Sequence, residues 1–180
     1  LQRTGKLGTY AACLGHEATH VGIGASMQPE DVFAPSYREY GAQFERGVKP
    51  RDVLMYWGGD ERGNDFEIPR NDYPWCVPIS TQCLMASGAA LSFKLRGEHR
   101  VAVATCGDGG SSKTDFYAAV NSAGAFTLPL VLCVINNGWA ISVPRKAQTG
   151  ADTLAQKGLA GGLHCLQVDG NDLVAVLEAM

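Results

Sequence analysis

Two short motifs constrain this chain more than any other feature. Gly107-Asp108-Gly109 closes the run Arg100–Cys106 (RVAVATC), and 26 residues later Asn136-Asn137 closes a second run, Pro129–Ile135 (PLVLCVI). Both runs are continuously apolar rather than alternating, the pattern of strands covered on both faces of a parallel sheet. Parallel neighbours need a crossover, usually helical, and the residues between the motifs supply one over Ser112–Gly124. That topology brings the two motifs side by side at the strand ends, where open α/β sheets bind ligands. A carboxylate and a carboxamide meeting there are hard oxygen ligands suited to Mg²⁺, and Mg²⁺ commonly binds together with a phosphate.

Around this centre the chain reads as alternating helices and strands. Helices are expected over Tyr10–Met27, Tyr37–Arg46, Arg51–Tyr56, Gln82–Arg96, Asp152–Gly161 and Asn171–Met180, with short strands at Val32–Ala34 and His164–Val168. Ser112, with Asp115 three residues on, gives the crossover helix a capping-box-like start. Gly58–Val77, rich in Gly, Pro and polar residues, reads as a long loop of the kind that often carries function. The fold class expected is therefore α/β, an open, mostly parallel sheet with helices on both faces. Residues 1–180 are expected to form one domain, incomplete at both ends and cut from a longer protein, because the chain opens without Met and closes inside a helix.

Net charge is −3 with a pI near 5.8 and no basic run, which argues against nucleic acid or an anionic membrane as partner. No run of 18 apolar residues is present. The six cysteines show no CxxC spacing and read as reduced thiols used as small apolar residues, which points to a reducing compartment.

Two other chemistries compete. His16-Glu17-Ala18-Thr19-His20 fits HExxH on a helix, with both His on one face, Glu17 placed as general base and Glu39 at a plausible distance for a third ligand of a zinc hydrolase. The same helix carries Gly15, Gly22 and Gly24, and the plainer reading is close helix packing or a subunit contact. Gly107-Asp108-Gly109-Gly110-Ser111-Ser112 follows a strand and opens a helix, as in a nicotinamide dehydrogenase. Yet Ser112 stands at the third Gly position, and no acidic residue lies between Phe116 and Ile135 to hold a ribose.

With the two motifs placed, the chain resembles the alpha subunit of the thiamine diphosphate-dependent first component of 2-oxo acid dehydrogenase complexes, with the bacterial pyruvate enzymes as its nearest likeness. The matching stretches are Gly15-His16-Glu17-Ala18, Tyr37-Arg38-Glu39, Thr81-Gln82, Gly107–Phe126, Asn136–Ser142, Thr153–Gly158 and Val168–Asp172, nearly the whole chain. The GHEA match accounts for HEATH without zinc.

The resemblance implies a set of roles. Asp108, the Asn137 side chain and the Trp139 backbone carbonyl would hold Mg²⁺. Gly107, Gly109 and Gly110 would belong to the cofactor-binding turn, the last two letting the backbone approach the diphosphate. Tyr37 and Arg38 would hold that diphosphate from the side, and Ile79 would be the apolar wedge that keeps the cofactor bent. It further implies decarboxylation of a 2-oxo acid, pyruvate or a branched-chain relative, and transfer of the acyl group to the lipoyl-bearing acyltransferase component. The activating Glu would come from a beta subunit in an α₂β₂ heterotetramer, and the catalytic His loop would lie beyond Met180, so no catalytic residue is assigned within the chain. The compartment would be the bacterial cytoplasm, or the mitochondrial matrix in a eukaryote. Ala118 and Thr114 depart from the Glu and Gly of many relatives, and Ala118 removes an acid from the channel that joins paired cofactor sites. Gly63–Trp75 lacks the usual family pattern and is expected on the substrate side.

Overall fold

The computed structural model describes residues 1–180. In chain order its elements are α1 Glu17–Ser26, β1 Val32–Ala34, α2 Tyr40–Glu45, α3 Pro50–Trp57, α4 Thr81–Arg96, β2 Ala102–Gly107, α5 Thr114–Ala125, β3 Leu130–Ile135, β4 Trp139–Ala140, β5 Val143–Pro144, α6 Gln156–Leu159 and α7 Leu173–Ala179. Single 3₁₀ turns intervene at Gln2–Thr4, Glu61–Asn64, Gly109–Ser112 and Arg145–Ala147. The chain divides into two compact units: residues 1–29, 37–75 and 168–180 form the first, and residues 30–36 and 76–167 the second.

The first unit is helical. Here α1 packs against α2 and α7 at backbone distance. A Cβ on Gly22 would lie 2.6 Å from Val176 Cγ1, and one on Gly24 would lie 2.7 Å from the Ala42 carbonyl oxygen. Gly22 and Gly24 therefore serve close packing, as expected, whereas Gly15 has open space where a Cβ would stand. The helix is shorter than expected: Gly15 has φ +81°, outside the helical region, so residues 10–16 are irregular and α1 opens only at Glu17. Likewise α2 starts at Tyr40 rather than Tyr37. Pro50 at the first position of α3 sets its φ without losing a helical bond, and the Asp52 carboxylate accepts from Lys49 N at 3.3 Å.

The long loop after α3 is anchored by its own apolar residues. Phe66 and Trp75 join Tyr40, Val48 and Val53 in a buried cluster, and Trp75 Nε1 donates to Gln43 Oε1 at 2.5 Å. Arg46 holds Asp72 through two bonds of 2.6 and 2.8 Å, both side chains under 5% exposed. Asp172 caps α7 by accepting from Val174 N and Ala175 N.

The second unit carries the sheet. Its order is β1-β2-β3, every pair parallel, with Val32 opposite Ala102 and Gly107 opposite Ile135. The open parallel α/β architecture expected from the apolar runs is present. β1 is wholly buried and β2 buried up to Cys106, whereas β3, paired on one edge only, is half-buried along its length.

Helix α4 packs on all three strands and beside α5. It ends at Gly97, whose φ of +67° forms a left-handed cap that no β-carbon would favour. Its buried Ala86, Ala90 and Phe93 and the Phe116, Ala119 and Val120 of α5 form the helical side of the core. Each large apolar side chain removed from water contributes about 1.5–3 kcal/mol. Beyond α6 the chain passes α5 so closely that a Cβ on Gly124 would run into the Gly161 carbonyl, and one on Gly161 would lie 2.5 Å from Val120 Cγ1.

Three local expectations are corrected. Ser112 does not cap α5: the 3₁₀ turn intervenes, Lys113 takes the cap position, and the Ser112 hydroxyl donates instead to the Gln148 carbonyl. The helix expected over Asp152–Gly161 shrinks to α6, and His164–Val168 forms no strand.

Candidate cation and diphosphate site

The site is built at the C-terminal ends of β2 and β3. The ladder continues one residue past the Gly107–Ile135 pair, because Asp108 N donates to the Ile135 carbonyl at 3.1 Å. This bond seats Asp108 next to the start of the Asn136-Asn137 turn. The following 3₁₀ turn folds back on Asp108: its carbonyl accepts from Ser111 N at 3.2 Å and from Ser111 Oγ at 2.6 Å.

The glycines here are required sterically. A Cβ on Gly109 would collide with Ala140, and one on Gly110 would lie 2.6 Å from Ser80 Oγ. Ser80 itself is buried with φ +65°, and its hydroxyl donates to the Gly110 carbonyl at 2.8 Å. Ile79, one residue earlier, is 43% exposed. At the base of α4 the buried Gln82 amide donates to the Thr105 carbonyl at 2.6 Å, tying the helix to β2.

Asp108 is 1% exposed, yet no arginine or lysine forms an ion pair with it. Its Oδ2 accepts one bond, from Gln148 Nε2 at 2.8 Å. A carboxylate buried against a single neutral amide is costly unless a cation joins it.

On the facing turn, Asn136 Oδ1 and Asn137 Oδ1 accept from Gly138 N and Trp139 N at 3.1 and 3.0 Å, and Gly138 takes φ +84° to close it. Asn137 is exposed and retains acceptor capacity on Oδ1. In the β4–β5 hairpin, Trp139 stands opposite Pro144 and Arg145 N donates to the Gly138 carbonyl at 2.8 Å, so Trp139–Pro144 is a non-hydrogen-bonded pair and the Trp139 carbonyl faces away from β5. A buried carboxylate, an exposed carboxamide oxygen and a backbone carbonyl without a ladder donor are all oxygen atoms, the donor set that Mg²⁺ requires. The residues present thus fit a Mg²⁺-bound diphosphate.

Two further residues converge on the turn that the sequence reading did not single out. Lys157 of α6 is buried and spends its ammonium on Ser111 O, Ser111 Oγ and Ser112 Oγ at 2.9, 2.8 and 3.2 Å. Burial, and secondarily Arg145, hold its pKa below the usual lysine value. Gln148 is the second; it lies 40 residues from Asp108 in the chain, and Lys157 lies 46 from Ser111.

Tyr37 and Arg38 belong to the first unit. The Arg38 guanidinium donates to the Ala12 carbonyl and stacks 5.3 Å above the Tyr37 ring, while Glu39 is buried and accepts from Arg38 N.

The HExxH residues do not form a zinc site. His16 precedes α1 rather than lying within it, Glu17 is exposed, and no group of three His, Cys, Asp or Glu side chains is placed to hold a metal. The two imidazoles instead meet edge to face at 5.2 Å. Burial first, then His16 and Arg38, push the His20 pKa down to about 4.

The chain is thus of the open parallel α/β class, with a buried carboxylate, a glycine turn and an Asn-Asn turn gathered at its strand ends. Comparison with known proteins makes this specific. The chain belongs to the dehydrogenase E1 component family, which it matches over residues 1–180.

It is 40% identical over 178 residues to the pyruvate dehydrogenase E1 component subunit alpha of Acholeplasma laidlawii, covering 99% of this chain and 52% of that one. It is 41% identical over 180 residues to the 3-methyl-2-oxobutanoate dehydrogenase subunit alpha of Mycobacterium tuberculosis, covering all of this chain and 49% of the other. The chain spans about half the length of these curated relatives. Among solved structures it shares its fold with a putative thiamin diphosphate-dependent enzyme from Mycobacterium smegmatis, at TM-score 0.50 and 18% identity, over 81% of this chain and 25% of that one. No helix is long and apolar enough to cross a membrane.

Proposed function

We propose that residues 1–180 form the thiamine diphosphate-binding domain of a 2-oxo acid dehydrogenase alpha subunit, which holds the cofactor through Mg²⁺. The observation that carries this reading is Asp108: a buried carboxylate at a strand end, held by one neutral amide and seated beside a turn that offers further oxygen donors. Asp108, Asn137 Oδ1 and the Trp139 carbonyl would hold the cation, and the turn of Gly107, Gly109 and Gly110 would take the diphosphate. Ile79 would press on the bound cofactor from its exposed position. Tyr37 and Arg38 enter the proposal through the sequence resemblance.

When bound, thiamine diphosphate supplies the electron sink that allows a 2-oxo acid to lose CO₂. This chain's part is to bind and orient it. Lys157 fixes Ser111 and Ser112 so that the turn keeps its shape, and the Gly138 turn sets where the Asn137 oxygen and the Trp139 carbonyl point. The reaction itself would need a beta subunit in a heterotetramer and would deliver the acyl group to a lipoyl-bearing acyltransferase. Pyruvate is the favoured substrate; the 41% identity to a 3-methyl-2-oxobutanoate enzyme makes the branched-chain acid the second reading. Six free thiols support a reducing, cytoplasmic setting.

The test is calorimetric titration of the full-length protein with thiamine diphosphate, with Mg²⁺ and with EDTA. It is followed by CO₂ release from pyruvate and from 3-methyl-2-oxobutanoate in the presence of the beta subunit. Binding that needs Mg²⁺ and turnover that needs both chains are expected. Cofactor binding indifferent to EDTA would overturn the cation site.

A further inference from the structure

Gln148 stands out as a polar residue whose bonding is half complete. Its Nε2 donates to Asp108 Oδ2 at 2.8 Å and to the Val143 carbonyl at 3.0 Å. Its Oε1 is buried and has no partner. The amide cannot be turned over to cure this, because Oε1 would then face two oxygens. Its backbone is held independently: Gln148 N donates to the Arg145 carbonyl at 3.1 Å, and the Gln148 carbonyl accepts from Ser112 Oγ at 3.4 Å. The unpaired oxygen lies beside the glycine turn, 3.9 Å from where a Gly109 Cβ would be. A buried acceptor without a donor is costly, and sites that keep one commonly receive the missing donor with a ligand.

We propose that Gln148 is a positioning residue of the cation site. Its Nε2 holds one oxygen of Asp108 and leaves Oδ1 to the metal. Its Oε1 accepts a hydrogen bond from a water molecule in the shell of the divalent cation. Mg²⁺ keeps several waters when it binds proteins, so it brings such donors with it. The hairpin β4–β5 and the turn after it thereby act on the metal through one side chain. This inference rests on the Mg²⁺–diphosphate reading above.

The experiment uses the full-length protein with Gln148→Leu and Gln148→Met, which keep bulk and remove both polar atoms. Mg²⁺ affinity in the presence of thiamine diphosphate should fall roughly 10- to 100-fold, the effect of losing a hydrogen bond to a charged group. Cofactor affinity at saturating Mg²⁺ should be unchanged. With Mn²⁺ in place of Mg²⁺, the relaxation of water protons by the bound ion should change in both variants, because a shell water has lost its acceptor. A merely structural role would instead lower the melting temperature of the metal-free protein and leave that relaxation untouched. Wild-type protein that binds no Mg²⁺ with the cofactor would overturn the cation site and this inference with it. Wild-type binding with variants of equal Mg²⁺ affinity and equal water relaxation would overturn the role of Gln148 alone.

Discussion

His20 sets a defined acid limit on stability. It is 1% exposed, its Nε2 has no partner, and the ring stands edge to face with His16. Burial holds its pKa at about 4 against an ordinary 6.5. Between these values the unfolded chain takes up a proton on this imidazole and the folded chain does not, so stability rises with pH through the window and is lost as pH falls from 6.5 toward 4. A gap of that size corresponds to about 3 kcal/mol. The perturbation is His20→Leu, which fills the space and cannot titrate. Urea unfolding of wild type and variant at pH 7 and pH 4 gives the comparison. The wild type should lose about 3 kcal/mol more than the variant over that interval. Parallel pH dependence in the two proteins, or an imidazole resonance of His20 titrating near 6.5, would refute the reasoning and with it the assignment of HEATH to packing.

Three other outcomes are expected. Asp108→Ala should abolish Mg²⁺-dependent cofactor binding by calorimetry, whereas Asp115→Ala, which loses only its 2.9 Å bond from the Thr81 hydroxyl, should bind normally. Lys157→Met strands the buried Ser111 carbonyl and should lower the melting temperature by roughly 2–10 °C, the range that about 1–3 kcal/mol produces in a domain of this size. Because burial lowers the Lys157 pKa, the folded charge is penalised at neutral pH and the penalty fades as pH rises toward 10.5, so the variant should lack that alkaline gain in a pH-dependent unfolding series. Arg38→Ala should weaken thiamine diphosphate roughly 10- to 100-fold, and Arg38→Lys should recover part of it, since a point charge replaces a fork; equal affinities in a titration would show that the guanidinium has no part in binding.

What was legible in the sequence is what depends on pattern. Arg100–Cys106 and Pro129–Ile135 announced parallel strands through unbroken apolar runs, and the crossover length then placed GDG beside NN. What the sequence hid depends on register and on distance along the chain. Gly15 looked like one more small residue of a helix, and only its positive φ shows that the helix starts later. Ser112 carried a plausible capping signal, but the turn that returns to Asp108 consumes it first. The freedom of the Trp139 carbonyl follows from the hairpin register, which bonds Gly138 to Arg145 and leaves Trp139–Pro144 a non-hydrogen-bonded pair, and no local signal reveals that register. Gln148 and Lys157 reach across 40 and 46 residues, so a reading that weighs neighbours could not rank them above any other amide or lysine.

The seam between Gly124 and Gly161 has a consequence for how damage would spread. Each residue matters for the atoms it lacks. A methyl group at either one would act as a lever, lifting the end of α6 from α5 and carrying Lys157 with it. Ser111 and Ser112 would then lose their tether, and the turn that bears Asp108 would loosen. Damage at this seam would thus reach the Asp108 turn through one lysine and two serines, without a single bond of its own to that turn.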